Sequence, residues 1–329
     1  KDKFYDVNLH GVDWEAKRKT YERFLPYINN NFDFAEMLSE MLGELNASHT
    51  GCRYYASGAS LRTASLGLFL DEKWEGDGLK IKEVIKRGPF AVKKTGVKPG
   101  DIIESIDGVK ILAGADYNAL LDGKAGKPVR IGVKGKKEDI IIKPISSGEL
   151  EELLYKRWVD RNRAFVDSIS GGRIAYVHVK AMDSESFRKV YEELLSESNR
   201  NRDAVVVDER HNGGGWLHDD LCTLLAGKEY QQFVPRDKYI GRDPYNKWTK
   251  PSCVLICEDD YSNGHGFPWV YKELGIGKLI GTPVAGTMTA VWWERLMDSS
   301  LVFGIPQVGC RDMRGVYGEN TTLNPDIEV

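Results

Sequence analysis

The chain lacks most features that would assign it at a glance. It has only five cysteines in 329 residues, Cys52, Cys222, Cys253, Cys257 and Cys310. An odd number with no Cys-x-x-Cys pair argues against a disulfide framework and gives no reason to expect a structural zinc site. Cys253 and Cys257 fall in the apolar run Cys253-Val254-Leu255-Ile256-Cys257, where free buried thiols are expected. No apolar run approaches the length of a membrane span. The formal net charge is -3 without a basic cluster, so there is no electrostatic footprint for nucleic acid. Repeats, low-complexity tracts and a secretory leader are also missing. The chain opens Lys1-Asp2-Lys3-Phe4 and stops at Ile327-Glu328-Val329, ends that read as cut and say nothing of targeting. Hydrophobic residues at 41% and charged residues at 29% fit a globular protein long enough for two or three domains.

Three regions differ in pattern. Residues 1–62 are helical, with Asp13 capping a helix over 14–28 and Asp33 capping a second over 34–45. From 63 to 147, short strands at 66–70, 79–85, 102–106, 129–133 and 138–142 alternate with glycine turns. A charged helical stretch over 148–163 leads into the third region, 148–329. There, strands at 173–179, 204–208, 253–257 and 278–280 are separated by helices, including one over 184–194 and one ending near 225. Strand–helix alternation of this kind builds a parallel sheet. The expected fold is therefore multidomain α/β, with a parallel-sheet core, a β-rich insert and an N-terminal helical segment that contributes to the core.

Chemistry concentrates where two of these strands end. After the 253–257 run comes Tyr261-Ser262-Asn263-Gly264-His265-Gly266-Phe267-Pro268 and then a helical segment. A serine at a strand-to-helix junction holds its Oγ clear of the sheet, and the first N–H groups of the helix face any oxyanion beside it. The same pattern also serves as a plain N-cap. After 204–208 the chain reads Glu209-Arg210-His211-Asn212-Gly213-Gly214-Gly215-Trp216. Three glycines at the end of a parallel strand can turn their N–H groups inward as an anion hole, or simply make a tight turn. No Gly-Lys-Ser/Thr follows, and the dinucleotide pattern is absent.

A serine nucleophile needs a base. Of six histidines, His10 is expected in a frayed start, His178 in a strand, His211 in the glycine turn and His218 in the helix behind it. His265, three residues after Ser262, is expected to point away. His49 in Asn46-Ala47-Ser48-His49-Thr50-Gly51, on a loop at a helix end, is best placed. Its imidazole then needs an orienting oxygen, which Ser48 or Glu319 could supply.

The run from about 63 to 145 resembles a PDZ domain. Leu66-Gly67-Leu68-Phe69 matches that family's carboxylate-binding loop, and Lys98-Pro99-Gly100-Asp101-Ile102-Ile103 with Ile106-Asp107-Gly108 is its most specific mark. This implies a PDZ-like domain over 63–147 that binds a peptide C-terminus through the loop, or whose groove is closed by its own chain. From about residue 30 onward the chain as a whole resembles the tricorn-type and tail-specific serine peptidases. Gly43-Glu44-Leu45 precedes Ser48-His49, Ser262 stands five residues before Phe267, and Glu319-Asn320 lies shortly before the terminal run Pro325 to Val329, as in the tricorn branch. The resemblance implies a serine-peptidase core over 148–329, with Ser262 as nucleophile, His49 as general base, and Glu319 and Ser48 holding the imidazole. It implies an oxyanion hole made by the backbone N–H of Gly213 or Gly214 together with that of Asn263.

Two departures qualify this likeness. Tail-specific enzymes of the Ser–Lys kind carry a lysine base in Gly-x-Pro-x-x-Gly-Lys-Gly. Here Gly281-Thr282-Pro283-Val284-Ala285-Gly286-Thr287 places Thr287 there, so the histidine-based arrangement is the one expected. Asn263 stands where many tricorn-like chains have an acid. The substrates implied are peptides or unfolded proteins, hydrolysed through an acyl-enzyme with no metal or organic cofactor. The rival readings are a non-catalytic module of the same fold that binds peptides or apolar ligands, and an esterase. The Gly-x-Ser-x-Gly elbow of common esterases is absent. Neither nucleic acid nor membrane is an expected partner. Homo-oligomer or monomer stays open. The resemblance leans towards an exported, periplasmic setting, with the cytoplasm as the alternative.

Overall fold

Five parallel strands run side by side in the order Ile327–Glu328, Lys278–Gly281, Ser252–Ile256, Ala204–Asp208 and Ile174–His178. This sheet centres the first of two units in the computed structural model, which describes residues 2–56, 58 and 62–329. That unit comprises residues 1–57 and 163–329, and the second comprises 58–162. The strands read as near-continuous aliphatic runs because both sheet faces are covered. Val205, Val207, Val254, Ile256 and Leu279 are buried beneath Val190 and Leu194 of helix Ser184–Leu194, Leu221 and Leu225 of helix His218–Leu225, and Phe267 and Tyr271 of helix Asn263–Glu273. Each such side chain contributes about 1.5–3 kcal/mol on burial.

The front of the chain is stitched to its far end. Strand Gly51–Tyr54 pairs antiparallel with Leu301–Gly304, and the Tyr5 N–H donates to the Pro306 carbonyl. Phe4 and Leu9 pack with Leu45, and His10 is held by the Tyr5 hydroxyl at 2.6 Å and the Leu45 carbonyl at 2.9 Å. The frayed start expected for His10 is therefore incorrect, because an aromatic cluster anchors it. The first helix, Trp14–Glu22, carries its Asp13 cap but stops early, and Pro26 sits in a separate short turn, Leu25–Tyr27. The second helix spans Asn31–Gly43, and its cap is Asn30, three residues before the expected Asp33. Asp33 instead donates its N–H to Asn30.

In the second unit, strands Leu68–Leu70, Leu79–Val84, Ile102–Ile106, Val129–Val133 and Ile140–Ile142 form one antiparallel sheet in that order, with Val109–Lys110 hairpinned onto Ile102–Ile106. Ile81, Ile103, Ile106, Val129 and Ile131 fill its core. Strand Leu68–Leu70 is an edge. Beside it lies a groove of about 140 Å³ lined by Ser65, Leu66, Leu68, Leu70, Tyr117 and Leu121, among others. Helix Ser147–Ile169 is longer than the expected 148–163, and the division between the units falls inside it. At the other edge, the expected junction at 62 adjoins residues 59–61, which lie outside the described residues. No helix among the described residues is long and apolar enough to cross a membrane.

Candidate active site

Strand Ala204–Asp208 ends on an acid that folds the chain back. Asp208 is fully buried and accepts from the Tyr176 hydroxyl at 2.7 Å and from Arg210 Nε at 2.8 Å. The following turn is pinned by Asn212, whose Oδ1 accepts from Gly214 N–H at 2.9 Å and whose carbonyl accepts from Tyr261 N–H at 2.9 Å. Gly214 has φ +93, and a Cβ there would stand 2.6 Å from the Ser262 Cβ, so only glycine lets the turn lie against Ser262. Asp260 ties the same two segments, accepting from Asn212 N–H at 3.1 Å and Cys257 N–H at 2.8 Å. Burial pushes its carboxyl up to about 7 against those hydrogen bonds. Glu209 beside it is wholly buried with neither oxygen hydrogen-bonded among the described residues, and burial with the Asp260 and Asp208 charges pushes its carboxyl well above the usual range.

Ser262 occupies the junction between strand Ser252–Ile256 and helix Asn263–Glu273, at φ 58 and ψ -119. This is backbone that a side chain rarely adopts, and it turns the serine out of the sheet. Ser262 N–H donates to Thr287 Oγ1 at 2.9 Å, so the residue at the lysine position of the Ser–Lys enzymes serves here as a strut. Thr287 N–H in turn donates to His265 Nδ1 at 3.2 Å. His265 is therefore buried beneath the helix, and burial pushes its pKa down to about 4.

His49 reaches Ser262 directly: Nε2 lies 2.8 Å from Oγ. Its Nδ1 lies 2.8 Å from Ser48 Oγ and 3.0 Å from Thr289 Oγ1. Ser48 then donates its hydroxyl to Glu319 Oε2 at 2.9 Å and its N–H to Glu319 Oε1. A carboxylate only accepts, so the direction of the chain is fixed. The Ser48 O–H points to Glu319, its lone pairs take Nδ1–H of His49, and Nε2 is left unprotonated towards the Ser262 hydroxyl. Burial lowers the His49 pKa, which keeps the ring neutral at neutral pH. Burial raises Glu319, while both hydrogen bonds from Ser48 pull it back. The Tyr261 hydroxyl accepts from the His49 backbone N–H at 2.7 Å and fixes the loop.

The geometry brings Ser262, His49, Ser48 and Glu319 together. Of the two glycines considered for the oxyanion hole, Gly214 has its N–H taken by Asn212, and the N–H groups of Gly213 and Asn263 donate to no acceptor among the described residues. The Asn263 side chain works too: its Oδ1 accepts from Leu217 and His218 N–H, and its Nδ2 donates to His218 Nδ1 at 2.8 Å. Residues 66–69 belong to the second unit. Gly67 N–H donates to Ser65 Oγ at 3.1 Å, and Arg157 covers the Phe69 ring at 5.0 Å. Thr289, Thr287 and Tyr261 carry contacts that sequence reasoning missed. Tyr261 had a signal in its place next to the serine, and Thr287 in standing where the Ser–Lys enzymes carry their base. Cys257, expected inside the strand, stands just past its end.

Known proteins similar to this chain fall into one group. Peptidase family S41 matches residues 173–329, the tricorn protease C1 domain 1–43, and a PDZ domain 80–135. Tricorn protease homolog 1 of Streptomyces coelicolor is 29% identical over 342 residues, covering 100% of this chain and 32% of the relative. Tricorn protease of Thermoplasma acidophilum is 27% identical over 334 residues, covering 96% and 30%. The crystal structure of the tricorn protease superposes with a TM-score of 0.85 at 24% identity, covering 100% of this chain and 33% of that one. The chain thus spans about a third of the length of these relatives. Residues 173–329 thus match peptidase family S41, and the fold is that of the tricorn protease. Along the rest of the chain the similarity is to the tricorn-type proteins, with a PDZ domain match at 80–135.

Proposed function

We propose that this chain hydrolyses peptide bonds in peptides or unfolded proteins through an acyl-enzyme on Ser262. The observation that carries the reading is the 2.8 Å contact between His49 Nε2 and Ser262 Oγ, backed by Ser48 and Glu319. Ser262 Oγ attacks the carbonyl carbon while its proton passes to Nε2. Ser48, Thr289 and Glu319 stabilise the imidazolium. The oxyanion receives the N–H groups of Gly213 and Asn263, each worth about 3 kcal/mol of transition-state stabilisation. His49 then protonates the leaving amine as the C–N bond breaks, and water repeats the sequence on the ester.

The cleft beside Ser262 has a volume of about 380 Å³, and its walls include Trp216, Trp269, Met288, Ala290 and Val291. Among the described residues no carboxylate, lysine or arginine lines it, so it favours an uncharged apolar side chain next to the scissile bond. The edge strand Leu68–Leu70 and the loop Leu66-Gly67-Leu68-Phe69 would hold an extended stretch of peptide by its C-terminus.

Ser262→Ala is expected to abolish turnover of an unstructured fluorogenic peptide and labelling by a serine-directed phosphonate. Undiminished turnover by that variant would remove the proposal. Digestion of a peptide library is expected to give cuts after apolar residues, and cuts chiefly after acidic or basic ones would contradict the assignment of the cleft.

A further inference from the structure

Behind the nucleophile turn, outside the catalytic chain of hydrogen bonds, three different ligand types converge. His211 comes from the glycine turn, and Cys257 and Asp259 from the segment leading to Ser262. His211 Nδ1 lies 2.9 Å from Asp259 Oδ2 and 3.8 Å from Cys257 Sγ. All three ligand atoms lie within 4.8 Å of one another. Sequence spacing could not reveal the cluster, because its members come from two loops that meet only in the folded sheet.

We propose that His211, Cys257 and Asp259 form a binding site for a zinc-type divalent ion. Zinc–ligand bonds of about 2.0–2.3 Å at tetrahedral angles set ligand atoms about 3.3–3.8 Å apart. The sulfur–nitrogen separation already fits, and the nitrogen–oxygen one needs to open by only a few tenths of an ångström. A thiolate sulfur with an imidazole nitrogen selects zinc-like ions over magnesium or calcium, which prefer oxygen. The His211 N–H donates to Cys257 Sγ at 3.3 Å and favours the thiolate that a metal requires. The His211 and Asp259 side chains are 61% and 66% exposed, which leaves the ion an entry path and a fourth position for solvent. A catalytic relay through the same residues is disfavoured by geometry. A cysteine–histidine–carboxylate triad uses both ring nitrogens, whereas here sulfur and carboxylate meet the same one. A bound ion would clamp the turn carrying Gly213 to the segment carrying Ser262.

Cobalt(II) serves as the probe on the reduced full chain. One equivalent is expected to give a thiolate-to-cobalt charge-transfer band with visible bands of tetrahedral intensity, displaced by zinc and untouched by excess magnesium. Cys257→Ser should lose the charge-transfer band, and Cys253→Ser, four residues earlier inside strand Ser252–Ile256, should keep it. Asp259→Ala and His211→Asn lie at exposed positions, and asparagine suits the positive φ of 68 at His211. Each should weaken binding roughly tenfold or more, with turnover in metal-free buffer unchanged. No charge-transfer band in the unaltered protein, a band that survives Cys257→Ser, or unchanged affinity in both exposed variants would overturn the proposal. It does not rest on the peptidase reading.

Discussion

At the scale of single residues, the arrangement turns on where one proton sits. The 2.9 Å donation from Ser48 to Glu319 orders the hydrogen bonds so that His49 faces Ser262 with a bare nitrogen. Glu319→Gln keeps the shape of the acceptor and removes its charge, so the imidazolium formed during attack loses its stabilising partner. The expected result is a fall in kcat of roughly a hundredfold with KM little changed. Steady-state kinetics on one fluorogenic peptide will test this, and an unaltered kcat would exclude Glu319 from the chain. Because burial lowers the His49 pKa, kcat/KM should hold its plateau to below pH 6.5 and decline only as the ring takes up a proton. A pH profile whose acid limb is centred above 6.5 would contradict that burial effect. Asn263 illustrates what sequence could and could not reveal. The backbone role proposed for it followed from its place after the serine. The side-chain bridge to Leu217, His218 and the His218 ring joins two helices 45 and 46 positions apart, and no local pattern announces it.

At the scale of elements, the junction before helix Asn263–Glu273 stores strain. Ser262 holds φ 58 and ψ -119, which costs a residue with a Cβ on the order of 1–3 kcal/mol. Two inactive variants separate this cost from the chemistry. Ser262→Gly should be more stable than Ser262→Ala by about 1 kcal/mol, since glycine adopts the same backbone freely at some entropic cost. Urea unfolding of the pair will show it, and equal stabilities would mean that the junction is relaxed. Most elements of the parallel sheet were legible, because strands buried on both faces read as unbroken aliphatic runs. Helix Ser184–Leu194 and strands Ala204–Asp208 and Val129–Val133 fell where the pattern placed them. The hairpin of Gln231–Phe233 with Gly241–Asp243 and the strands between Thr289 and Gly309 gave no such signal. They are short and largely exposed or half-buried, so their pairing depends on distant partners rather than on their own periodicity.

At the scale of the whole molecule, buried imidazoles set the acid limit. His178 and His265 are both pushed from 6.5 down to about 4 by burial. As pH falls below 6.5 the unfolded chain takes up these protons first. The stability linked to each ring is therefore complete above 6.5 and lost on the way to about 4. Each is worth on the order of 3 kcal/mol. His265→Gln should lessen the loss between pH 6.5 and 4 by a few kcal/mol. Chemical denaturation at the two pH values, variant against parent, measures the difference, and identical pH dependence would contradict a neutral buried His265. Ser262 and His49 were legible from their local settings, with Ser48 and Glu319 as candidate orienting oxygens, and the resemblance joined the four. Spacing could not show the contacts themselves, because proximity in this fold is made by long-range pairing.

That pairing carries a consequence for biosynthesis. Ser48 and Glu319 stand 271 positions apart, and strand Gly51–Tyr54 finds its partner only near the far end. On the ribosome, His49 emerges before Ser262, and Glu319 after both. A polypeptide halted anywhere between Ser262 and Glu319 would consequently hold the two blades of the proposed scissors without the rivet that aligns them.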